Sequence, residues 1–112
     1  MLPKNRRIPR ALWPALKKKR PQVSRSNTLT LRVVPNGDGA RFSFVVSTKV
    51  AGKATRRNIL RRRGYHIVRD ILADVKPWAY IFFFMKGASK RSFSELKSEI
   101  ESLMLQYKHY RK

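Results

Sequence analysis

The residues best suited to chemistry lie between Lys49 and Arg69, a span with eight Lys or Arg and no Asp or Glu. They are Lys49, Lys53, Arg56, Arg57, Arg61, Arg62, Arg63 and Arg69, with Asn58 among them. Arginine donates planar, paired hydrogen bonds to phosphate and stacks on bases. A charged helix face is ordinarily only a solvated surface. Two features argue otherwise here. No acid is interleaved to neutralise the arginines along the helix. Ser47, Lys49 and Lys53 also precede the helix N-terminus, whose free N–H groups favour phosphate. Polar and cationic groups converge on one edge, and the partner they call for is a polyanion.

Catalytic sets are missing by comparison. His66 and His109 are the two side chains that titrate near neutrality. His66 and Asp70 stand i,i+4 and can pair on a helix surface, but no nucleophile or second base accompanies them. The acids are too scattered for a two-metal site. No glycine loop of phosphate-binding spacing precedes a helix. The absence of cysteine excludes disulfides and thiolate zinc sites, and fits a reducing cytoplasm. Nothing in the polypeptide points to bond chemistry of its own.

The whole chain supports a binding role. Its 112 residues suit one domain, and 42% hydrophobic residues suffice for a core. The 27 Lys and Arg against 6 Asp and Glu give a net charge of +21. Such a field attracts polyanions and works against the compact free protein. The basic N-terminus has no apolar segment of signal-peptide type behind it. The longest apolar run, Trp78–Met85, is too short to span a bilayer, so no membrane partner is expected.

Periodicity supplies the elements. Residues 1–26 are basic and proline-punctuated, with room for one short helix from about Arg10 to Lys18. Ile8, Leu12 and Leu16 share its apolar face, with Trp13 beside them. A short strand near Val23 is an optional addition. Thr28–Val34 alternates as a half-buried strand. The turn sequence Pro35-Asn36-Gly37-Asp38-Gly39 then predicts an antiparallel hairpin with a strand over Arg41–Thr48. After Gly52 the spacing predicts a helix from Ala54 to about Ala73. Its apolar face is Leu60, Gly64, Ile67, Val68, Ile71 and Val75. Asn58, Arg62, Tyr65 and Arg69 form the neighbouring stripe, bordered by Arg57 and Arg61. Gly64 in that helix implies either close approach of the sheet or a kink. Trp78–Met85, apolar on both alternating faces, predicts a central strand parallel to Phe42–Ser47. Ser92-Phe93-Ser94-Glu95 is a capping box opening a final amphipathic helix. Glu95, Glu99 and Glu101 place that helix away from a polyanion. The sheet-plus-helix pattern, lacking a helix-turn-helix, favours RNA over DNA.

The segment Ser47-Thr48-Lys49-Val50-Ala51-Gly52-Lys53-Ala54-Thr55-Arg56-Arg57-Asn58, followed by Arg61 and Arg62, resembles the bacterial ribonuclease P protein component, which carries a pattern like S-K-K-V-G-K-A-V-x-R-N-R-x-K-R. The Leu2-Pro3-Lys4 start and the later strand and helix agree, and the likeness spans essentially the chain. Departures are Ile59 for the second motif Arg, Thr48 for Lys, an inserted Ala51, Gly64 and Tyr65 for an apolar residue and Arg, and an aromatic pair reduced to Trp13.

The resemblance implies a single α+β domain over 1–112, with flexible basic ends at 1–9 and 108–112. It implies a two-layer sandwich, an approximately four-stranded mixed sheet in the order αβββαβα, ribosomal protein S5 domain 2-like, with a left-handed β-α-β crossover. It implies a cytoplasmic subunit of an endoribonuclease that removes the 5′ leader of precursor tRNA. The partners are then ribonuclease P RNA and precursor tRNA, with no obligate protein partner. The catalytic centre and its Mg2+ belong to the RNA, and this chain has no catalytic or metal residue. Catalytic-RNA contacts map to Lys53, Arg56, Arg57, Asn58, Arg61 and Arg62. Leader contacts map to Trp13, Thr30, Arg32, Ser47 and Lys49, across a cleft between sheet and first helix. The alternative is a ribosomal or general RNA-binding protein outside tRNA processing.

Overall fold

The structure is a computed structural model and describes residues 7–8, 18, 20–35, 39–71 and 75–107. Among the described residues, four strands and two long helices follow one another: β1 (Gln22–Arg25), β2 (Leu29–Pro35), β3 (Arg41–Val46), α1 (Ala54–Arg69), β4 (Trp78–Phe84) and α2 (Phe93–Met104). A 3-10 turn over Ala88–Lys90 precedes α2, and another over Leu105–Tyr107 follows it.

The sheet order is β1-β2-β4-β3. β4 pairs antiparallel with β2, Thr30 opposite Phe83, and parallel with β3, Val45 opposite Phe83. The central, parallel placement expected for this strand is therefore observed. Both its faces are apolar, and only a central position covers both.

The hairpin expected between β2 and β3 is not formed, because β4 lies between them. Turn residues report a local change of direction and say nothing about which strand fills the gap. The hairpin belongs instead to β1 and β2, in register Val23 with Arg32 and Arg25 with Thr30.

One face of the sheet carries the main core. Leu29, Leu31, Val33, Phe42, Phe44, Tyr80, Phe82 and Phe84 meet Leu60, Ile67 and Val68 of α1 and Leu96, Ile100, Leu103 and Met104 of α2. Each such side chain, fully buried, contributes about 1.5–3 kcal/mol. Phe44 is central: its ring stacks on Phe82 at 4.9 Å and meets Tyr65 edge-on at 5.0 Å.

Gly64 faces that ring. A Cβ built there would stand 2.5 Å from two Phe44 ring carbons, so close approach of the sheet explains the glycine. The space above Phe44 also corrects Tyr65, which periodicity placed on the polar stripe. It is buried, and its ring takes up the apolar surface beside the glycine.

Helix α1 ends at Arg69, short of the expected Ala73, where the Ile71 N–H donates to the Val68 carbonyl and tightens the last turn. Val75, assigned by periodicity to the helix, is buried beyond its end. Helix α2 starts as expected. Ser92 accepts from the Glu95 N–H, and Glu95 accepts from the Ser92 N–H, completing the capping box.

The other face carries a smaller core of Ile8, Val34, Ala79 and Ile81, with Val45 and Phe83 packed against it. Arg7 and Ile8 run parallel beside Phe42, with Ile8 N–H donating to the Phe42 carbonyl. Apart from Lys18, which is helical and exposed, the first helix with Leu12, Trp13 and Leu16 lies outside the described residues. So do residues 1–6, 9 and 108–112 of the expected basic ends.

Candidate nucleic-acid interface

Helix α1 presents the basic surface. Leu60, Gly64, Ile67 and Val68 turn inward, which leaves Arg56, Asn58, Ile59, Arg62, His66 and Arg69 exposed. Its N-cap is Lys53, in extended conformation and with no side-chain hydrogen bond to the first turn. Ser, Thr, Asp or Asn normally caps there, and acids normally follow. This first turn holds none, so the positive end of the dipole and the cations add. The arrangement disfavours the free helix and favours one holding an anion. Among the described residues, no acidic side chain pairs with an α1 arginine; the ion pairs join Arg91 to Glu95 and Glu99.

The basic residues are not equivalent. Arg57 is half-buried, and its Nη1 donates to the carbonyls of Ala51 (3.0 Å) and Gly52 (2.8 Å). It therefore braces the Ser47–Lys53 connection. Arg61 donates to the Asn58 side chain, which orients the pair. Lys53 and Arg56 line an open pocket with Val50, Ala51, Gly52 and Ser89. Ser47 and Lys49 are exposed just past β3, in a turn closed by Val50 and Ala51 N–H groups on the Ser47 carbonyl. His66 packs edge-on to Phe93 of α2 at 5.5 Å, and its Nδ1 lies 3.3 Å from Arg69 Nη2. Its partners are thus Phe93 and Arg69, where Asp70 was the candidate.

The second surface is the sheet face opposite the helices. Strand register sets its rows: Arg25, Thr30, Phe83 and Val45 form one, and Val23, Arg32, Ile81 and Ser43 the next. The Arg32 guanidinium lies 5.6 Å from the centre of the Phe83 ring, within cation–π range. The first row sits near the C-terminal ends of the parallel strands β3 and β4. The connection into α1 leaves from that same end of the sheet.

A ribonuclease P family model matches residues 2–108. The chain belongs to the ribonuclease P family. The structure is similar to that of a Staphylococcus aureus ribonuclease P protein mutant with defective mRNA degradation activity. The TM-score is 0.80 at 20% identity, covering 92% of this chain and 87% of that one. It is also similar to the Thermotoga maritima ribonuclease P protein, with TM-score 0.76 at 22% identity over 92% and 98% of the two chains. No curated protein matches the chain in sequence. The α+β fold is that of the bacterial ribonuclease P protein.

Within this family frame, the residues expected to touch the catalytic RNA are brought together on α1 and its N-cap. Lys53, Arg56, Asn58 and Arg62 are exposed, while Arg57 and Arg61 are partly covered. Thr30 and Arg32 share the sheet face opposite the helices, and Ser47 and Lys49 follow the end of β3. Trp13 lies outside the described residues. Phe83, Arg25 and Ser43 share that sheet face but were not among the sequence candidates. Phe83 was hidden in the run Phe82-Phe83-Phe84, where only strand register shows which ring turns away from the helices.

Proposed function

We propose that this ribonuclease P protein binds the catalytic RNA through α1 and the 5′ leader of precursor tRNA over the open sheet face. The observation that carries the reading is the union of an uncapped, acid-free helix start with an adjacent aromatic and arginine row at one end of the sheet. Lys53, Arg56, Asn58, Arg61 and Arg62 meet phosphates. Arg57 holds the Ser47–Lys53 connection in place. On the sheet, Phe83 is half-buried with Arg32 over its ring, a guanidinium that a base would displace or stack upon, and Thr30, Ser43, Ser47 and Lys49 supply backbone contacts. Such a surface accepts leaders of varied sequence, since every base has a π-face.

The chemical step belongs to the RNA in this reading. Magnesium held by the RNA would supply an activated water and stabilise the leaving oxygen. The magnesium is assigned to the RNA because the family resemblance implies it; among the described residues, no group of three or more His, Asp or Glu converges. The chain contributes position and charge: it holds the leader and offsets phosphate repulsion between the two RNAs. The holoenzyme is proposed to be cytoplasmic; among the described residues, no helix is long and apolar enough to cross a membrane.

The test is equilibrium binding by the chain reconstituted with a bacterial ribonuclease P RNA. Precursor tRNA should bind more tightly than mature tRNA, and Phe83→Ala should reduce that difference by about tenfold. Equal affinity for both tRNAs would favour a general RNA-binding role.

A further inference from the structure

Strand β1 is docked on the rest of the protein in an unusual way. Its helix-facing side chains are Gln22 and Ser24, followed by Ser26 in the turn, where a strand covered by helices normally places apolar residues. A polar seam replaces the missing apolar contacts. Tyr107 Oη donates to Gln22 Oε1 at 3.2 Å, and Gln106 Nε2 to Ser24 Oγ at 3.0 Å. At the end of the seam the Glu99 carboxylate takes three hydrogen bonds. Oε1 accepts from Ser26 Oγ (2.6 Å) and the Thr28 N–H (2.8 Å), and Oε2 accepts from Thr28 Oγ1 (2.8 Å). Arg91 Nε stands 3.7 Å from Oε2.

The turn gripped by Glu99 lies at the functional end of the sheet. The Thr28 carbonyl accepts from the Met85 N–H, where β4 ends. Arg25 immediately precedes the turn, is exposed, and stands in the row with Thr30, Phe83 and Val45. The neighbouring open-face residue of β1, Val23, is 48% exposed. Strand β1 thus extends the open face by one strand, and its outward side carries a cation with no acidic partner among the described residues.

We propose that Glu99 is a positioning residue for this face: by clamping the Ser26–Thr28 turn it holds β1 in the sheet so that Arg25 meets the phosphates of a single-stranded RNA lying over Phe83. The proposal rests on the reading that the open face takes the leader. It also gives an acidic residue of α2 a part in RNA binding without contact to RNA. Glu99→Gln removes one acceptor and turns an amide toward donors, so the turn is released.

The experiment measures the ratio of affinities for precursor and mature tRNA in the reconstituted holoenzyme. Glu99→Gln and Arg25→Ala are each expected to lower the ratio by about tenfold, the scale of one charged hydrogen bond. Because Glu99 acts through Arg25, the double variant should be no worse than Arg25→Ala alone. Glu95→Gln weakens the α2 cap and serves as the structural control; it should lower Tm and leave the ratio unchanged. Should Glu99→Gln fail to fold, Ser26→Ala, which removes one of the three donors, is expected to lower the ratio by a smaller factor. A ratio unmoved by Glu99→Gln or Ser26→Ala, a neutral Arg25→Ala, or additive losses in the double variant would overturn the proposal. Phe83→Ala separates the two levels. If it lowers the ratio while Glu99→Gln does not, the leader reading survives and the positioning role falls. If Phe83→Ala is itself neutral, both fall.

Discussion

At the residue scale, the arginines of α1 divide by what they touch. Arg62 is exposed and has no hydrogen-bond or ion-pair partner among the described residues, whereas Arg57 donates to two carbonyls of the preceding connection. Arg62→Ala is expected to remove one phosphate contact and so reduce the log–log salt slope of catalytic-RNA binding by about 0.7–0.9. Arg57→Lys keeps the charge but loses the planar fork. It should weaken binding with the slope nearly unchanged. Binding titrations across a salt series check both. Gly64 gives a stability prediction. Gly64→Ala should gain about 1 kcal/mol of helix propensity, yet lose more to the collision with Phe44, for a net cost of about 1–3 kcal/mol and a lower Tm. The basic stripe was legible because charge without interleaved acids needs no tertiary context. Tyr65 and Phe83 were not, since a ring beside a glycine, or within a run of three rings, is assigned to a face only by its neighbours.

At the element scale, α2 holds its own start and the β1–β2 turn through carboxylates. Burial alone would push the Glu99 carboxyl up, but hydrogen bonds from Ser26 and Thr28 and the nearby Arg91 charge outweigh it and hold it below the usual range. The Ser92 N–H, the Arg91 side chain and the Ser92 hydroxyl do the same for Glu95. A folded-state value below the unfolded one means that the stabilisation is complete above about pH 4.3 and is lost as pH falls through the lower, folded value. Tm measured from neutral to acid pH should therefore drop in the wild type, and Glu99→Gln should flatten that drop. The capping box and the amphipathic stripe made α2 plain in the sequence. Strand neighbours were not plain: the turn after Pro35 suggested a β2–β3 hairpin, and only the demand of β4 for cover on both faces puts it between them. The grip of Glu99 on Ser26 and Thr28 joins residues more than seventy positions apart, and no local pattern announces it.

At the scale of the whole molecule, a net charge of +21 on 112 residues works against the compact free protein. The free protein carries self-repulsion that the proposed RNA partner would relieve. Sulfate or phosphate should thus raise Tm above that in chloride of equal ionic strength, because anions bind the folded arrangement of charge. Melts indifferent to the anion would count against it. The most direct measurement is precursor tRNA cleavage at limiting magnesium by a bacterial ribonuclease P RNA, with and without this chain, beside the chain alone. The account predicts that the chain lowers the magnesium requirement of the RNA and cleaves nothing by itself. Cleavage by the chain alone, or an RNA whose magnesium requirement is unmoved by it, would contradict the account.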